Sequence, residues 1–208
     1  MCAVAVNTDL NIYGEFRPVM DRIMNSLIRE IMRNSRSDTV EKLYEHLAYR
    51  IKGNESTIEK LRRKGLEPNT KNALKALTDS IGLRIVCLFI DDVYECVKRI
   101  RAFPRCTVVN EKDYIESAKP NGYRSYHMIL DVITDEADVD GQTPGHYFVE
   151  IQLRTIAMDT WAALEHELKY KKNIGNTEMI IRELHRCAND LAACDVSMQT
   201  LRRIIREL

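Results

Sequence analysis

Hydrophobic and polar positions alternate with a helical period through the first third of the chain. Over residues 15–33 the apolar side chains recur at steps of three and four, which is typical of one face of an amphipathic helix. Shorter patterns predict helices over residues 39–49, 56–64 and 70–78, the second with Ser56 as its N-cap. This part of the chain is therefore predicted to be helical.

Four later segments combine β-branched, aromatic and aliphatic residues in short runs bounded by turn-forming residues, and they predict four strands. They are GLRIVCLFI, CTVVN, SYHMILDVI and HYFVEIQL. A helix over residues 91–102, capped by Asp91 or Asp92, is predicted between the first two. The segment DEADVDGQTPG predicts a loop between the last two; it lacks EF-hand spacing, so a solvated hairpin is favoured over a calcium site.

The helical period returns after the last strand. Residues 155–170 predict one helix, and a longer one begins near residue 177. Its apolar residues follow the a/d positions of heptads: Leu184, Cys187, Leu191, Cys194, Met198, Leu201, Ile205 and Leu208. The pattern leaves two alternatives open, packing against the N-terminal helix or self-association.

Composition narrows the class of protein. With 208 residues, 45% of them hydrophobic and 30% charged, the chain suits one folded domain with a helical appendage. Lys plus Arg and Asp plus Glu both total 31, so affinity for a polyanion must come from local clusters. The chain has no signal-peptide pattern, no long apolar run and no CxxC pair, so we expect a cytoplasmic protein without membrane association, structural zinc or disulfides.

Alternation along HYFVEIQLR separates an apolar face from a row containing Glu150, Gln152 and Arg154. A carboxylate, an amide and a guanidinium in register could hold a metal, a hydroxyl and a phosphate, or they could form the solvent face of an antiparallel sheet.

Two further residues belong with this polar row if their strands are neighbours. Asp79 precedes the strand GLRIVCLF, and Arg84 is the one charged residue within that strand. Burying an unpaired arginine costs several kcal/mol, so Arg84 is expected to point into a cleft. Asp79 and Glu150 could then supply two oxygens to one Mg²⁺, which completes its shell with phosphate and water.

Two other segments suggest nucleotide binding. RIKGNESTIEKLRRK is locally basic, so it could neutralise a polyphosphate or form a solvated helix face, and it is not a Walker loop. In KPNGYRSYH the pair Asn121-Gly122 indicates a turn, after which alternation places Tyr123, Ser125 and His127 on one face. Tyr123 could stack on a base or pack across strands with a half-buried His127.

Four of these stretches, in this order, resemble one family. RIKGNESTIEKLRRK, DSIGLRIVCLF, DYIESAKPNGYRSYH and VEIQLRTIAMDTWAALEHELKYK resemble the small alarmone synthetases, the stand-alone (p)ppGpp synthetases of the RelA/SpoT type, over about residues 49–172. The resemblance implies an α+β fold with a nucleotidyltransferase-like mixed β-sheet flanked by helices. It implies a helical region over 1–48, a catalytic domain over 49–172 and a C-terminal helix over 173–208. It also implies transfer of the β,γ-pyrophosphate of ATP to the 3′-hydroxyl of GDP or GTP, with release of AMP.

The resemblance assigns roles to single residues. Asp79 matches the family's Mg²⁺-binding aspartate, and Glu150 matches the glutamate associated with the metal and with activation of the acceptor hydroxyl. On the ATP side the implied residues are Arg50 and Arg84 around adenine, and Lys52, Lys60, Arg63 and Lys64 at the phosphates. Around GDP or GTP they are Tyr123, stacked on guanine, with Lys119, Ser125, His127, Gln152 and Arg154.

The resemblance also bears on assembly and on related activities. Small members commonly form homotetramers through helices outside the sheet, which favours self-association of the heptad stripe. None of the five histidines is followed by Asp, so the His-Asp motif of the family's hydrolase domain is absent and no hydrolase activity is expected. The alternatives are a nucleotidyltransferase that releases pyrophosphate and a non-catalytic RNA-binding module. The sequence does not rank GDP against GTP.

Overall fold

The computed structural model describes residues 11–34, 43–170 and 177–208. A 3₁₀ turn, Gly14–Phe16, leads into helix α1 (Arg17–Asn34), which is followed by strand β1 (His46–Ile51) and helix α2 (Asn54–Arg63). A π-helical turn (Asn72–Ala76) precedes β2 (Ile81–Cys87) and α3 (Ile90–Ile100). The remaining elements are β3 (Cys106–Asp113), β4 (Tyr126–Thr134), β5 (Gly145–Thr155), α4 (Ile156–Tyr170) and α5 (Thr177–Glu207).

The strands form one mixed sheet in the order β1-β2-β5-β4-β3. β2 and β5 run parallel, while the other neighbouring strands are antiparallel. The predicted α+β fold with a mixed sheet is therefore confirmed. Because β2 pairs with β5, with Gly82 opposite Glu150, the neighbourhood on which the carboxylate-pair hypothesis depended is also confirmed.

The core lies on one face of this sheet. Met128 and Leu130 of β4 and Ile151 and Leu153 of β5 are completely buried there, as the period-two pattern predicts. The apolar stripe of α1 packs into the same cluster. Burial of each large aliphatic side chain contributes roughly 1.5–3 kcal/mol, so this face carries most of the stabilisation and leaves the opposite face free for polar residues.

The helix predicted over residues 39–49 is wrong within the described residues, because residues 46–51 form β1, a fifth strand. β1 pairs antiparallel with β2, from His46 opposite Val86 to Ile51 opposite Ile81. The backbone ladder along the edge of β2 outweighs the weak helical preference of the segment. Residues 39–42 lie outside the described residues. The division into regions 1–48, 49–172 and 173–208 stays a prediction, and β1 crosses its first boundary.

The predicted helix caps are also wrong. Helix α2 begins at Asn54 with Gly53 as its N-cap, and α3 begins at Ile90 with Phe89 as its N-cap, neither with a side-chain cap hydrogen bond. Asp92 is instead buried and pairs with Arg202 of α5 at 2.6 Å. A carboxylate in a first helical turn is stabilised by the helix dipole, and here it also anchors the C-terminal helix.

The acidic loop between β4 and β5 is less solvated than predicted. Asp138 is buried, and its carboxylate accepts hydrogen bonds from Lys75 Nζ and from the backbone N–H groups of Asp140 and Gln142. The loop is thereby attached to the π-helical turn, and its acidic residues stabilise the hairpin.

Helix α5 packs on α3 and α4 through Ala188, Asp195 and Gln199. Met198, Leu201 and Ile205 of the heptad stripe are instead 51%, 52% and 69% exposed, so in the described part of the chain this stripe is not packed against α1. No helix in the described ranges is long and apolar enough to cross a membrane.

Candidate active site

The polar face of the sheet collects residues from four strands, because directly paired residues share a face. Arg50, Gly82 and Glu150 form one row across β1, β2 and β5. Arg84, Gln152 and His127 form the next row across β2, β5 and β4. The structure therefore brings the predicted row of β5 together with the arginine of β2 and the histidine of β4.

Asp79 lies just before β2 and is bound by two lysines. Its Oδ2 accepts hydrogen bonds from Lys52 Nζ at 2.7 Å and from Lys60 Nζ at 2.6 Å. Burial opposes the charged form, but these hydrogen bonds and charges prevail and lower the pKa of Asp79. Asp79 Oδ1 is buried and accepts no hydrogen bond from any residue that the structure describes. An anionic oxygen without a donor is a suitable ligand for a cation.

Glu150 is held from two sides. Gln152 Nε2 donates to Glu150 Oε2 at 2.8 Å, and His127 Nδ1 lies 3.5 Å from Oε1. Burial raises the pKa of Glu150, while the contacts with His127 and Gln152 outweigh it and lower that pKa overall. The negative charge of Asp79 is near enough to disfavour ionisation of Glu150, so the two carboxylates share one electrostatic environment.

These two carboxylates are the residues that could hold Mg²⁺. The described residues contain no group of three or more His, Cys, Asp or Glu side chains arranged for a metal. A site that uses two carboxylates and the phosphates of a substrate suits Mg²⁺, which keeps several waters and binds few protein ligands. The free Oδ1 of Asp79 fits this expectation.

The other predicted ATP-side residues surround this pair less closely. Arg84 donates from Nη1 to Asp159 Oδ1 at 2.8 Å, so its charge is paired as it points into the cleft. Arg50 is exposed on β1, and Arg63 and Lys64 are exposed at the end of α2. Within the described residues no hydrogen bond or ion pair joins these three to Asp79 or Glu150. Their exposed side chains are accessible to a ligand.

An aromatic cluster lies beside His127. Tyr123 and Tyr114 contact the His127 ring edge-on, with ring centroids 5.8 and 5.4 Å away, and the Tyr123 hydroxyl is 2.8 Å from His127 Nε2. Lys119 Nζ lies 4.5 Å and 4.9 Å from the centroids of the Tyr114 and Tyr123 rings. Aromatic faces with an adjacent cation form a suitable surface for a base and its phosphates.

The turn before Tyr123 requires glycine. Gly122 has φ +89°, and a Cβ placed on it would lie 2.5 Å from Ala188 Cβ of α5. Arg124 donates to Ala188 O and Asn189 Oδ1. The loop that presents Tyr123 is therefore packed against the C-terminal helix.

Arg154 is buried and joins the aromatic cluster to Gln152 and Asp159. Its Nη2 donates to the Tyr123 hydroxyl at 2.8 Å and to Gln152 Oε1 at 2.9 Å, and its Nη1 donates to Asp159 Oδ1 at 2.9 Å. Ser125 is completely buried next to it and donates its hydroxyl to Leu153 O at 3.1 Å. The Ser125 hydroxyl thus contacts Leu153 and Arg154, and its predicted contact with the acceptor nucleotide stays a prediction.

Three residues of the site were not singled out from the sequence: Tyr114, Asp159 and Glu165. Asp159 and Glu165 lie on α4, and Glu165 Oε1 accepts a hydrogen bond from Asn121 Nδ2 at 3.0 Å. Both fall inside the stretch VEIQLRTIAMDTWAALEHELKYK, but their polar character resembles that of any helix surface. Only the packing of α4 beside β5 distinguishes them.

This fold matches the solved structures of small alarmone synthetases. The chain matches small alarmone synthetase 2 from Bacillus subtilis with a TM-score of 0.78 and 32% identity, over 89% of this chain and 95% of the other. It matches small alarmone synthetase 1 from Bacillus subtilis, solved with its product pppGpp, with a TM-score of 0.75 and 31% identity, over 92% and 94%.

The sequence comparisons agree. Residues 49–175 match the region found in RelA/SpoT proteins, so the chain belongs to the RelA/SpoT family. It is 38% identical to GTP pyrophosphokinase YwaC of Bacillus subtilis over 162 residues, which are 76% of this chain and 74% of that protein. It is 36% identical to GTP pyrophosphokinase YjbM of the same organism over 163 residues, or 78% and 74%. The resemblance stated from the motifs is confirmed.

Proposed function

We propose that this protein is a GTP/GDP pyrophosphokinase that transfers the β,γ-pyrophosphate of ATP to the 3′-hydroxyl of GDP or GTP. The products are AMP and ppGpp or pppGpp, the alarmones of the stringent response. The observation that carries the proposal is the position of Asp79 and Glu150 in one electrostatic environment, with lysines on one side and an aromatic cluster on the other. The names of the relatives support the same reaction.

On the donor side, Arg50 and Arg84 would enclose the adenine, since both belong to the polar face on adjacent strands. Lys52 and Lys60 both form ion pairs with Asp79. When the triphosphate binds, their positive charges would lie beside it and neutralise part of its negative charge. Arg63 and Lys64 would reach the outer phosphates from the end of α2. Cations around the transferred group offset the charge that develops on the phosphoryl oxygens.

On the acceptor side, Tyr123 would stack on guanine, and Lys119 and His127 would contact the nucleotide's phosphates and ribose. Gln152 would orient the acceptor next to Glu150, to which it is already hydrogen-bonded. Arg154 would hold Tyr123 through its hydroxyl while it contributes positive charge from beneath. Because Arg154 is buried, it suits a positioning role better than extensive direct contact with the nucleotide.

The chemical step joins the 3′-oxygen of the acceptor to the β-phosphorus of ATP and breaks the bond from that phosphorus to the oxygen that leaves with AMP. The acceptor hydroxyl loses its proton, and Glu150 is the group positioned to take it because its lowered pKa keeps it ionised at neutral pH. Bound Mg²⁺ on Asp79 and Glu150 would neutralise phosphate charge. In such transfers positioning and electrostatics contribute more than strong basicity.

We further propose that the protein is a homo-oligomer, with a tetramer favoured, and that the exposed stripe of Met198, Leu201 and Ile205 forms part of the interface. Apolar side chains spaced as a/d positions on an exposed helix face suit a helix from a second copy. We place the enzyme in the cytoplasm, where ATP and guanine nucleotides are available.

Incubation with Mg²⁺, ATP and each of GDP, GTP and GMP, followed by anion-exchange chromatography, tests the proposal. We expect AMP in equal amount to a guanosine product of higher charge, and no hydrolysis of that product. Release of pyrophosphate would indicate a nucleotidyltransferase. Absence of turnover with every acceptor, together with RNA binding that weakens steeply with salt, would favour the RNA-binding alternative.

A further inference from the structure

One carboxylate oxygen joins a residue assigned to the ATP side of the site with a residue assigned to the acceptor side. Asp159 Oδ1, in the first turn of α4, accepts hydrogen bonds from Arg84 Nη1 at 2.8 Å and from Arg154 Nη1 at 2.9 Å. Arg84 belongs to β2 and Arg154 to β5. Asp159 therefore joins the two guanidinium groups through one carboxylate oxygen.

The two arginines serve different ligands if the proposed function, on which this step rests, is correct. Arg84 would stack on the adenine of ATP. Arg154 is hydrogen-bonded to the hydroxyl of Tyr123 and to Gln152, and both of those contact the acceptor nucleotide in the proposed arrangement. The path from donor to acceptor therefore runs through Arg84, Asp159, Arg154 and Tyr123.

Guanidinium geometry allows this path to remain intact when nucleotides bind. The guanidinium is planar, so Arg84 can stack its face on a base while its edge still donates to a carboxylate. Its side chain is 40% exposed, whereas that of Arg154 is only 8% exposed, so Arg84 is the more loosely held partner. Ordering Arg84 against adenine would also order Asp159, and through it Arg154.

We infer that Asp159 is a positioning residue that couples the ATP site to the acceptor site. A nucleotide bound at one site orders the shared carboxylate, so the second nucleotide loses less conformational freedom when it binds. The coupling is positive, and by linkage each nucleotide increases the affinity of the other by the same factor.

The test measures binding without turnover. GDP is titrated calorimetrically into the full-length protein with Mg²⁺, in the presence and absence of α,β-methylene-ATP, whose methylene group replaces the oxygen of the bond that must break. For the unaltered protein we expect the analogue to tighten GDP binding at least about fivefold, at the lower end of typical coupling. In Asp159→Asn, which keeps the shape but loses the charge, the tightening should fall below about twofold by the same linkage.

Two further variants separate coupling from general damage. Asp159→Glu retains the carboxylate and should recover most of the coupling. Asp135→Asn removes the carboxylate paired with Arg105, an exposed pair elsewhere on the molecule, and should leave the coupling unchanged. Melting temperatures of all variants show whether each is folded before its binding is compared.

The inference is overturned if Asp159→Asn couples the nucleotides as strongly as the unaltered protein does, or if the unaltered protein shows no coupling. Either result, obtained with a protein that still forms AMP from ATP and GDP, leaves the proposed function in place. Absence of turnover and of nucleotide binding in the unaltered protein would instead refute the proposed function itself.

Discussion

Replacing Glu150 by Gln is the most direct test of the proposed chemistry, because the substitution removes charge and basicity but keeps the shape. The new amide oxygen can still accept the hydrogen bond that Gln152 Nε2 donates at 2.8 Å. The contact with His127 Nδ1 is 3.5 Å long, so its loss costs little. We therefore expect a folded variant with an intact cleft.

The expected loss of rate follows from the proposed role of Glu150 as the base. Loss of a positioned base lowers the rate typically ~10²- to 10⁴-fold. This equals about 3–5 kcal/mol in the barrier. At saturating Mg²⁺, KM for ATP should change little, because Asp79 and the two lysines bound to it stay in place.

The assay is AMP formation from ATP and GDP at saturating nucleotides, repeated over a Mg²⁺ titration. Glu111→Gln serves as the control, because it makes the same chemical change on the edge strand β3. Glu111 pairs with Arg101, and this variant should retain native turnover. If Glu150→Gln is within threefold of native, Glu150 is not the base. Recovery of the variant at high Mg²⁺ would reassign the residue to metal binding alone.

Three more predictions test the acceptor turn, the exposed stripe and the buried acidic loop. Gly122→Ala should raise KM for GDP more than about tenfold with little change in KM for ATP, because the positive φ and the contact with Ala188 would displace the turn. Gly141→Ala is the control: its φ is +74° but its surroundings are open, so KM for GDP should change much less. Leu201→Glu, at a half-exposed position, should lower the mass measured by light scattering without lowering the melting temperature; an unchanged mass would exclude the stripe as an interface. Asp138, whose pKa is lowered to about 2 by Lys75 and backbone N–H groups against the cost of burial, should contribute about 1–2 kcal/mol of stability above pH 4, lost as the pH falls toward 2. In urea unfolding, the Asp138→Asn variant should therefore be less stable than the native protein at pH 6, and the difference should disappear as the pH falls through about 2. A difference that persists below that pH would contradict this linkage.

Much of the site could be predicted because its residues lie on regular strands. The alternation along β5 separates Glu150 and Gln152 from Ile151 and Leu153, and the structure has the same separation. This works because the side-chain period of a strand is a local property of the backbone. Asp79 was recognised for a similar reason, as a polar residue directly before an apolar strand.

Other features could not be predicted because they depend on partners distant in the sequence. The segment that forms β1 has a helical pattern by itself, and only hydrogen bonding to β2 makes it a strand. Ser125 alternates with Tyr123 and His127, yet it is completely buried beside Arg154, a residue 29 positions away in the sequence. Asp159 resembles any helix-surface carboxylate until α4 is packed beside two arginines.

The sequence by itself determined the helical and strand periods, the apolar core face and the set of charged and aromatic residues that resemble the family. The tertiary structure alone decided which of these residues meet. Local periodicity follows from backbone geometry, which every residue carries with it. Strand order, register and helix packing depend instead on hydrogen bonds and contacts between distant segments, so the Asp79–Glu150 pair, the Arg84–Asp159–Arg154 link and the exposed stripe of α5 emerged only from the folded chain.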